Sequence, residues 1–158
     1  MERRVPMTPS GYETVKAELE RLKSEERPKN VKEIEAALEH GDLSENAEYH
    51  AAKERQSLIA GRIAHLEDKL ARAQVIETPN GPTEKIQFGA TVVLTDIDSD
   101  EQVTYRIVGE DEADPKEGRI SITSPVAQAL MNKHVNDEVI VKAPKGDREF
   151  EILAIRFD

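Results

Sequence analysis

The chain has no cysteine, few aromatic residues and no long hydrophobic run. The absence of cysteine excludes disulfide bonds and thiol chemistry. Because aromatic residues make up only 4% of the 158 residues, the chain offers little surface on which nucleic-acid bases could stack. No stretch approaches the roughly 20 apolar residues that a membrane-spanning helix needs, and the first residues carry no apolar run typical of a signal peptide. We therefore expect a cytoplasmic protein that does not bind membranes.

Acidic residues outnumber basic ones, and the excess lies mainly in the second half of the chain. The formal net charge is −10, of which residues 1–75 carry −2 and the remainder −8. Neutralisation of phosphates by Lys and Arg supplies most of the affinity of non-specific DNA binding. So acidic a chain is a poor DNA binder, and we expect no direct sequence-specific readout of DNA. The acidic second half is expected to dock on a basic or mixed protein surface.

The first long helix is predicted to begin at Thr8-Pro9-Ser10, where Thr8 or Ser10 can cap the helix and proline suits the first turn. Pro28 removes one backbone hydrogen bond, so we expect a kink or a local unwinding there. Apolar residues recur at steps of three and four, which is typical of one face of a helix. They are Tyr12, Val15, Leu19 and Leu22 before Pro28, and Val31, Ile34 and Leu38 after it.

A second helix is predicted from about Ser44 to Ala73. Its apolar stripe thins to alanine near the start, so the two helices can approach each other closely there. The stripe consists of Ile59, Ile63, Leu66, Leu70 and Ala73. Together the two patterns predict an antiparallel coiled-coil hairpin. A plain dimerisation rod would explain the stripes equally well, but it would not explain the acidic bend between the helices.

Gly41 separates the two helical patterns, because glycine is unfavourable inside a helix and tolerates a left-handed turn. It is followed by Asp42 and Glu45, which would lie on one face if the second helix has already begun. Two interpretations are open. The pair can form a capping box around free backbone amides. Alternatively, the two carboxylates can bind a divalent cation such as Mg²⁺ with further ligands from a partner, since two ligands alone make no tight site.

Beyond a proline- and glycine-rich segment at 78–83, the pattern changes to β-strands. Ser124 is predicted to cap a short helix that begins at Pro125, and Asn132 to end it in a left-handed conformation. Residues 109–118 are predicted to form an acidic loop. The strands are predicted at 88–95, 103–108, 120–122, 139–142 and 150–155.

Several strands with one short helix predict an α+β fold. We assign residues 1–77 to the helical coiled-coil hairpin, with its tip at 40–48. Residues 78–85 are assigned to a linker and residues 86–158 to the β-sheet domain.

The segment from His40 to Glu54, which includes Gly-Asp-Leu-Ser-Glu-Asn-Ala-Glu-Tyr, resembles the coiled-coil tip of the Gre family, the bacterial transcript-cleavage factors. The segment from Ser124 to Met131 resembles the Ser-Pro-Ile/Val segment of the C-terminal domains of this family. The resemblance extends from Pro6 to Phe157. It departs from the family pattern at Asn132 and Asn136, where many relatives carry glycine, and asparagine is the usual substitute at positive φ.

The resemblance implies an FKBP-like fold for the C-terminal domain. It also implies that this domain docks on RNA polymerase, at the rim of its secondary channel, through the Ser-Pro-Ile/Val segment. The matching residues are Ser124, Pro125, Val126 and Ala127.

The hairpin would enter that channel and bring Asp42 and Glu45 to the active site of the polymerase. There the pair would act in catalysis as ligands of a shared Mg²⁺, and the polymerase would cleave the 3′ end of backtracked nascent RNA. The chain is thus expected to be a monomeric cofactor of the polymerase and not itself an enzyme.

Other residues near the bend have competing interpretations. Tyr49, Lys53 and Arg55 are candidates for contacts with extruded RNA, but a solvated helix face or packing between the helices explains them equally. His40 and His50 flank the bend without a recognised zinc spacing. Glu48 is expected to be a supporting or solvated residue.

Three other functions follow from the same residues. A pure binding factor would occupy the channel without promoting cleavage, although such inhibitors within the family depart from the Gly-Asp-Leu-x-Glu-Asn pattern. A prolyl isomerase is suggested by the implied fold, but fold does not determine function. That activity needs an aromatic-lined site, and the second half offers only Phe88, Tyr105, Phe150 and Phe157. A free-standing nuclease would need more ligands than two exposed carboxylates.

Overall fold

The computed structural model describes residues 4–41, 45–79 and 81–157. The chain divides into two compact units. One consists of Tyr12–Arg72 and is helical; the other combines the residues up to Gly11 with those from Ala73 onward and contains the β-sheets. Among the described residues, no helix combines the length and the apolar character that crossing a membrane requires.

The first arm of the hairpin is one continuous helical run with an irregular turn. Helix α1 spans Pro9–Arg21, a π-helical segment spans Leu22–Glu26, and helix α2 spans Arg27–Leu38. The backbone N–H of Gly11 donates to Thr8 Oγ1 at 3.1 Å, so Thr8 is the capping residue. The π segment ends immediately before the turn that contains Pro28, which confirms the predicted local unwinding.

Helix α3 spans Ala47–Arg72 and forms the second arm. It starts three residues later than the predicted Ser44. Its 26 residues correspond to a length of about 39 Å. Three contacts between the two arms join residues whose numbers rise on one arm as they fall on the other, so the helices are antiparallel. They are the Glu18–Arg62 pair at 2.9 Å, the Glu33–Arg55 pair and the hydrogen bond between Asn46 and Ala37 at 2.6 Å.

Among the described residues, the large apolar side chains that pack between the arms lie away from the bend. Leu22, Ile59, Ile63 and Leu66 are buried there, with Val15 and Leu19 packed against them. Towards the bend, the buried residues of α2 are Asn30 and Ala37. Val31 and Leu38, which the pattern predicted to face the partner helix, are 43% and 44% exposed. That part of the prediction is wrong because a polar and a small residue occupy the inward positions.

The β-sheet unit contains a six-stranded sheet and a two-stranded one. The strands of the larger sheet are β3 (Gly81–Pro82), β4 (Thr91–Asp96), β5 (Gln102–Val108), β6 (Arg119–Ser121), β7 (Glu138–Val141) and β8 (Arg148–Phe157). Their order is β3-β8-β4-β5-β6, and β7 also pairs with β8. All pairings in this sheet are antiparallel except that of β5 with β6.

Helix α4 spans Pro125–Leu130 and packs on the larger sheet. Ser124 Oγ accepts a hydrogen bond from the backbone N–H of Ala127 at 3.2 Å, which confirms the predicted cap. Asn132 and Asn136 have φ values of 69° and 75°, as expected for residues that stand where relatives carry glycine. The core between α4 and the sheet includes Ile86, Leu94, Ile107, Leu130 and Ile152, all completely buried.

The N-terminal arm, by which we mean the residues that precede α1, belongs to the β-sheet unit, although the sequence analysis grouped it with the hairpin. Strand β1 (Val5–Met7) pairs in parallel with β2 (Ala73–Val75). Val5 and Met7 are completely buried. Strands of three residues are too short for an alternation of apolar and polar residues to be recognised in the sequence. The two-residue strand β3 was missed for the same reason and lies inside the predicted linker. The α+β class, with a helical hairpin and a mixed sheet that carries one short helix, is confirmed.

Candidate functional site at the hairpin bend

The bend begins where α2 ends in a tightened turn. The backbone N–H groups of Glu39 and His40 donate to the carbonyls of Ala36 and Ala37 at 3.3 and 3.2 Å, three residues back along the chain. Gly41 follows with φ of +91°, a value that side-chain-bearing residues rarely adopt. The predicted break at Gly41 is therefore confirmed.

Asn46 starts the second arm and also contacts the first. Its Oδ1 accepts a hydrogen bond from the backbone N–H of Tyr49 at 3.0 Å, so Asn46 caps α3. Its Nδ2 donates to the carbonyl oxygen of Ala37 at 2.6 Å. One side chain therefore satisfies a free donor at the start of α3 and an acceptor at the end of α2, which closes the bend.

Of the predicted carboxylate pair, Glu45 is exposed and directly precedes Asn46, whereas Asp42 lies outside the described residues. Because α3 begins only at Ala47, Glu45 is not in its first turn, and the condition under which the pair would share a helix face is not met. The capping-box interpretation is wrong as well, since Asn46 is the cap and Tyr49 occupies the third helical position. The carboxylate of Glu45 is thus not used by the capping of α3.

An open depression of about 440 Å³ lies at the bend, lined by His40 and by residues 45–48. A carboxylate oxygen is the kind of ligand that Mg²⁺ prefers, so Glu45 is chemically suited to hold such an ion. Among the residues that the structure describes, no three His, Cys, Asp or Glu side chains converge as metal ligands. Any cation bound through Glu45 would therefore need ligands from beyond the described residues.

The remaining candidates near the bend are engaged with neighbours in different ways. Lys53 is exposed, and its Nζ donates to Gln56 Oε1 at 2.8 Å on the same helix. Arg55 pairs with Glu33 across the hairpin, so its guanidinium is partly occupied by a structural contact.

Two histidines and their neighbours surround the start of α3. His40 Nε2 lies 3.4 Å from Glu48 Oε2, so Glu48 has a partner on the other side of the bend. The half-buried Tyr49 makes an edge-to-face contact with His50, with the ring centroids 5.7 Å apart. This contact explains part of the packing of Tyr49 but leaves the ring partly open to solvent.

The predicted docking segment lies at the start of α4. Pro125 is exposed, while Ser124 and Val126 are half-buried. Ala127 is completely buried in the core of the sheet unit, so its side chain offers no surface to a partner. The available surface of this segment is therefore formed by its first three residues.

Sequence reasoning missed the two asparagines that face the interior of the hairpin near the bend. Asn30 is only 2% exposed, and its Nδ2 donates to the carbonyl oxygen of Ala52 at 3.0 Å. Asn46 makes the corresponding bond in the opposite direction, from the α3 side to α2. Asn46 could have been recognised as a cap, because it stands one residue before a helical pattern. No sequence signal distinguishes a buried asparagine from an exposed one.

Two family models together match nearly the whole chain. The model described as "Transcription elongation factor, N-terminal" matches residues 5–75, and the one described as "Transcription elongation factor, GreA/GreB, C-term" matches residues 81–157.

Individual relatives give the same result. The chain is 55% identical to transcription elongation factor GreA of Hyphomonas neptunium over 96% of this chain and 97% of that protein. It is 57% identical to the GreA of Anaeromyxobacter sp. over 98% and 93%, respectively. It is also similar to the crystal structure of GreA factor homolog 1 (Gfh1) of Thermus thermophilus, with 35% identity, coverage of 98% and 99%, and a TM-score of 0.45. The two family models and the two GreA relatives show that the chain belongs to the GreA/GreB family of transcription elongation factors.

Proposed function

We propose that this chain binds RNA polymerase, inserts its helical hairpin into the secondary channel and stimulates the polymerase to cleave backtracked nascent RNA. Cleavage creates a new RNA 3′ end, so arrested elongation complexes resume synthesis. The observation that carries the proposal is the exposed carboxylate of Glu45 at the bend of a long hairpin, directly before the residue that fixes the bend. Membership of the GreA/GreB family supports it.

The dimensions of the hairpin suit a probe. Helix α3 alone is about 39 Å long, so its first residues lie far from its last. Near the bend, the buried apolar residues of the hairpin are Ala37 and Ala52. Because alanine side chains allow two helices to approach closely, this end of the hairpin is narrow, as entry into a channel requires.

The carboxylates of Asp42 and Glu45 would hold Mg²⁺ together with carboxylates of the polymerase. Such an ion, when bound, stabilises the charge that develops on the attacking and leaving oxygens of a phosphodiester. Glu45 does not cap α3, since Asn46 does, so its carboxylate is available for this role. In this proposal the chain supplies ligands to the polymerase, and the active site of the polymerase carries out the cleavage.

Docking is assigned to the β-sheet unit and RNA contacts to the hairpin. Ser124, Pro125 and Val126 offer surface at the start of α4. Lys53 is exposed on α3, and its ammonium group can turn from Gln56 to a phosphate of the RNA 3′ end. Tyr49 is proposed to contact a base. The factor is proposed to act as a monomer in the cytoplasm.

The test is transcript cleavage in a purified, stalled and backtracked elongation complex. Wild type is compared with Asp42→Asn and Glu45→Gln, which remove a charge but keep the shape of each side chain. Glu20→Gln is the matched control, because Glu20 is an exposed glutamate on the same hairpin but far from the bend. We expect cleavage with wild type and the control, and strongly reduced cleavage with the two bend variants. Binding to the polymerase, measured in parallel, should be the same for all four.

Two results would contradict the proposal. If the Glu45→Gln variant stimulated cleavage by the polymerase as much as wild type does, Glu45 would have no part in the mechanism. Binding of the wild type without any stimulation of cleavage would instead identify a factor that only occupies the channel. RNA incubated with the protein and Mg²⁺ alone should stay intact; degradation there would indicate a free-standing nuclease.

A further inference from the structure

We infer that Asn46 is a positioning residue that holds Glu45 in place by fastening the start of α3 to the end of α2. The inference rests on the proposed function, since it concerns how the acidic bend is presented to the polymerase. It is carried by two hydrogen bonds of one side chain, which have separate roles. The bond from Tyr49 N–H to Asn46 Oδ1 belongs to α3 alone, whereas the bond from Asn46 Nδ2 to the Ala37 carbonyl crosses the bend.

The bend needs such a fastening because apolar packing stops well before it. The buried apolar cluster of the hairpin consists of Leu22, Ile59, Ile63 and Leu66. Closer to the bend the buried apolar side chains are those of Ala37 and Ala52, which bury little area and therefore contribute little hydrophobic stabilisation. Polar bonds must supply what packing does not.

Glu45 is the residue directly before Asn46, so the position of its backbone follows from that of Asn46. With the Nδ2 bond in place, Asn46 is tied to the last turn of α2 as well as to α3. Without it, α3 keeps its cap, but the described contacts from Asn46 to the first arm are lost. Glu45 would then move relative to the rest of the hairpin, and a misplacement of about 1 Å at a reacting centre can cost a hundredfold in rate.

A substitution can separate the two roles of Asn46. Asn46→Ser keeps an oxygen that can cap α3, because serine and asparagine are about equally good caps, but it removes the donor to Ala37. Asn46→Ala removes both bonds. Ser24→Ala is the matched control, since it deletes a side-chain bond to a carbonyl within one arm, the 2.8 Å bond from Ser24 Oγ to Glu20.

The measurement is the rate of transcript cleavage as a function of factor concentration, with the full-length variants. For Asn46→Ser we expect the rate at saturating factor to fall between about tenfold and a hundredfold. The half-saturating concentration should change less than about twofold, because the docking surface is untouched; a merely structural loss of folded protein would raise it instead. The Mg²⁺ concentration needed for half-maximal cleavage should rise. Ser24→Ala should match the wild type in all three quantities.

Amide hydrogen exchange of Tyr49 checks that the cap persists in Asn46→Ser and is lost in Asn46→Ala. The inference is overturned if the cleavage rate at saturating Asn46→Ser equals that with wild type. It is also overturned if only the half-saturating concentration of this variant changes and the rate at saturation does not. Wild type and Glu45→Gln in the same assay test the proposed function. If these two differ as expected while Asn46→Ser behaves as wild type, only the positioning role falls; if wild type does not stimulate cleavage, both fall.

Discussion

Glu112 holds the N-terminal arm against the rest of the β-sheet unit, and its replacement should release that arm. Its Oε2 accepts hydrogen bonds from the backbone N–H groups of Thr8 and Gly109, both at 3.0 Å, and its Oε1 accepts one from the Thr8 hydroxyl. Gly11 packs so closely that a Cβ there would lie 1.8 Å from Oε1. Thr8 is completely buried, so water cannot easily replace the carboxylate.

The size of the effect depends on which partners survive. Glu112→Ala leaves two backbone N–H groups without their acceptor, and each such loss costs about 1–3 kcal/mol. The Thr8 hydroxyl keeps a neighbour, because Ser10 Oγ lies 3.3 Å away. Since Glu112 is only half-buried, we expect a decrease of about 3 kcal/mol in the free energy of unfolding, towards the low end of the summed range.

Glu112→Gln should cost much less. The amide oxygen can accept from both backbone N–H groups, and the amide nitrogen can donate to the Thr8 hydroxyl. All three contacts then survive and only the charge is lost, which should lower the free energy of unfolding by about 1 kcal/mol.

Urea unfolding of the sheet unit, with hydrogen exchange of the β1 amides, measures both changes. Glu117→Ala is the control: it removes an exposed carboxylate from the same loop and should change stability by less than about 0.5 kcal/mol. If Glu112→Ala also fell within that limit, or if glutamine were as costly as alanine, the three bonds would not be what holds the arm.

Three further predictions concern stability. Leu66→Ala should destabilise the hairpin by about 2–5 kcal/mol because Leu66 is completely buried, whereas Leu58→Ala, at a position 68% exposed, should change it by less than about 0.5 kcal/mol; urea unfolding compares the two. The pKa of Asp96 is lowered, chiefly by the hydrogen bond from Arg148. Its contribution to stability is therefore full above the unfolded pKa of about 3.9 and is lost as the pH falls through the lower folded value, so Asp96→Asn should flatten the acid side of a stability–pH curve. Gly41→Ala should lower the free energy of unfolding by about 1–2 kcal/mol, measured by thermal unfolding, because φ at this position is +91°. Among the described residues, no atom lies within 4 Å of the added Cβ, so we expect no additional steric cost.

The sequence predicted most of the architecture because the signals were local. Thr8 and Ser124 cap helices, Pro28 follows an unwound turn, and Gly41 turns the chain shortly after α2. Each of these features depends on residues within about one helical turn. The sheet strands were recognisable because β-branched residues cluster between turn residues. The β4–β5 hairpin joins the strands predicted at 88–95 and 103–108, and the β7–β8 hairpin joins those predicted at 139–142 and 150–155.

The features that were missed depend on contacts between distant parts of the chain. Asn30 bonds to a residue 22 positions away, and Glu112 to one 104 positions away. A residue pattern cannot reveal such partners, because it reports only the local period of hydrophobicity. The same limit explains Ala127, which was assigned to a docking surface by resemblance but is buried in the core.

The two asparagine bonds of the hairpin end on main-chain carbonyls, not on side chains, and this restricts substitution unevenly. A carbonyl oxygen is present whatever residue carries it and has two lone pairs, so it can accept an asparagine and a helical N–H together. Positions 37 and 52 can therefore vary among small residues, such as glycine and serine, without losing the acceptor. Positions 30 and 46 have no such freedom, because the donor is the side chain itself. A designer who shortened or grafted this hairpin onto another scaffold would need to carry over two asparagines, while their partners could be chosen for size alone.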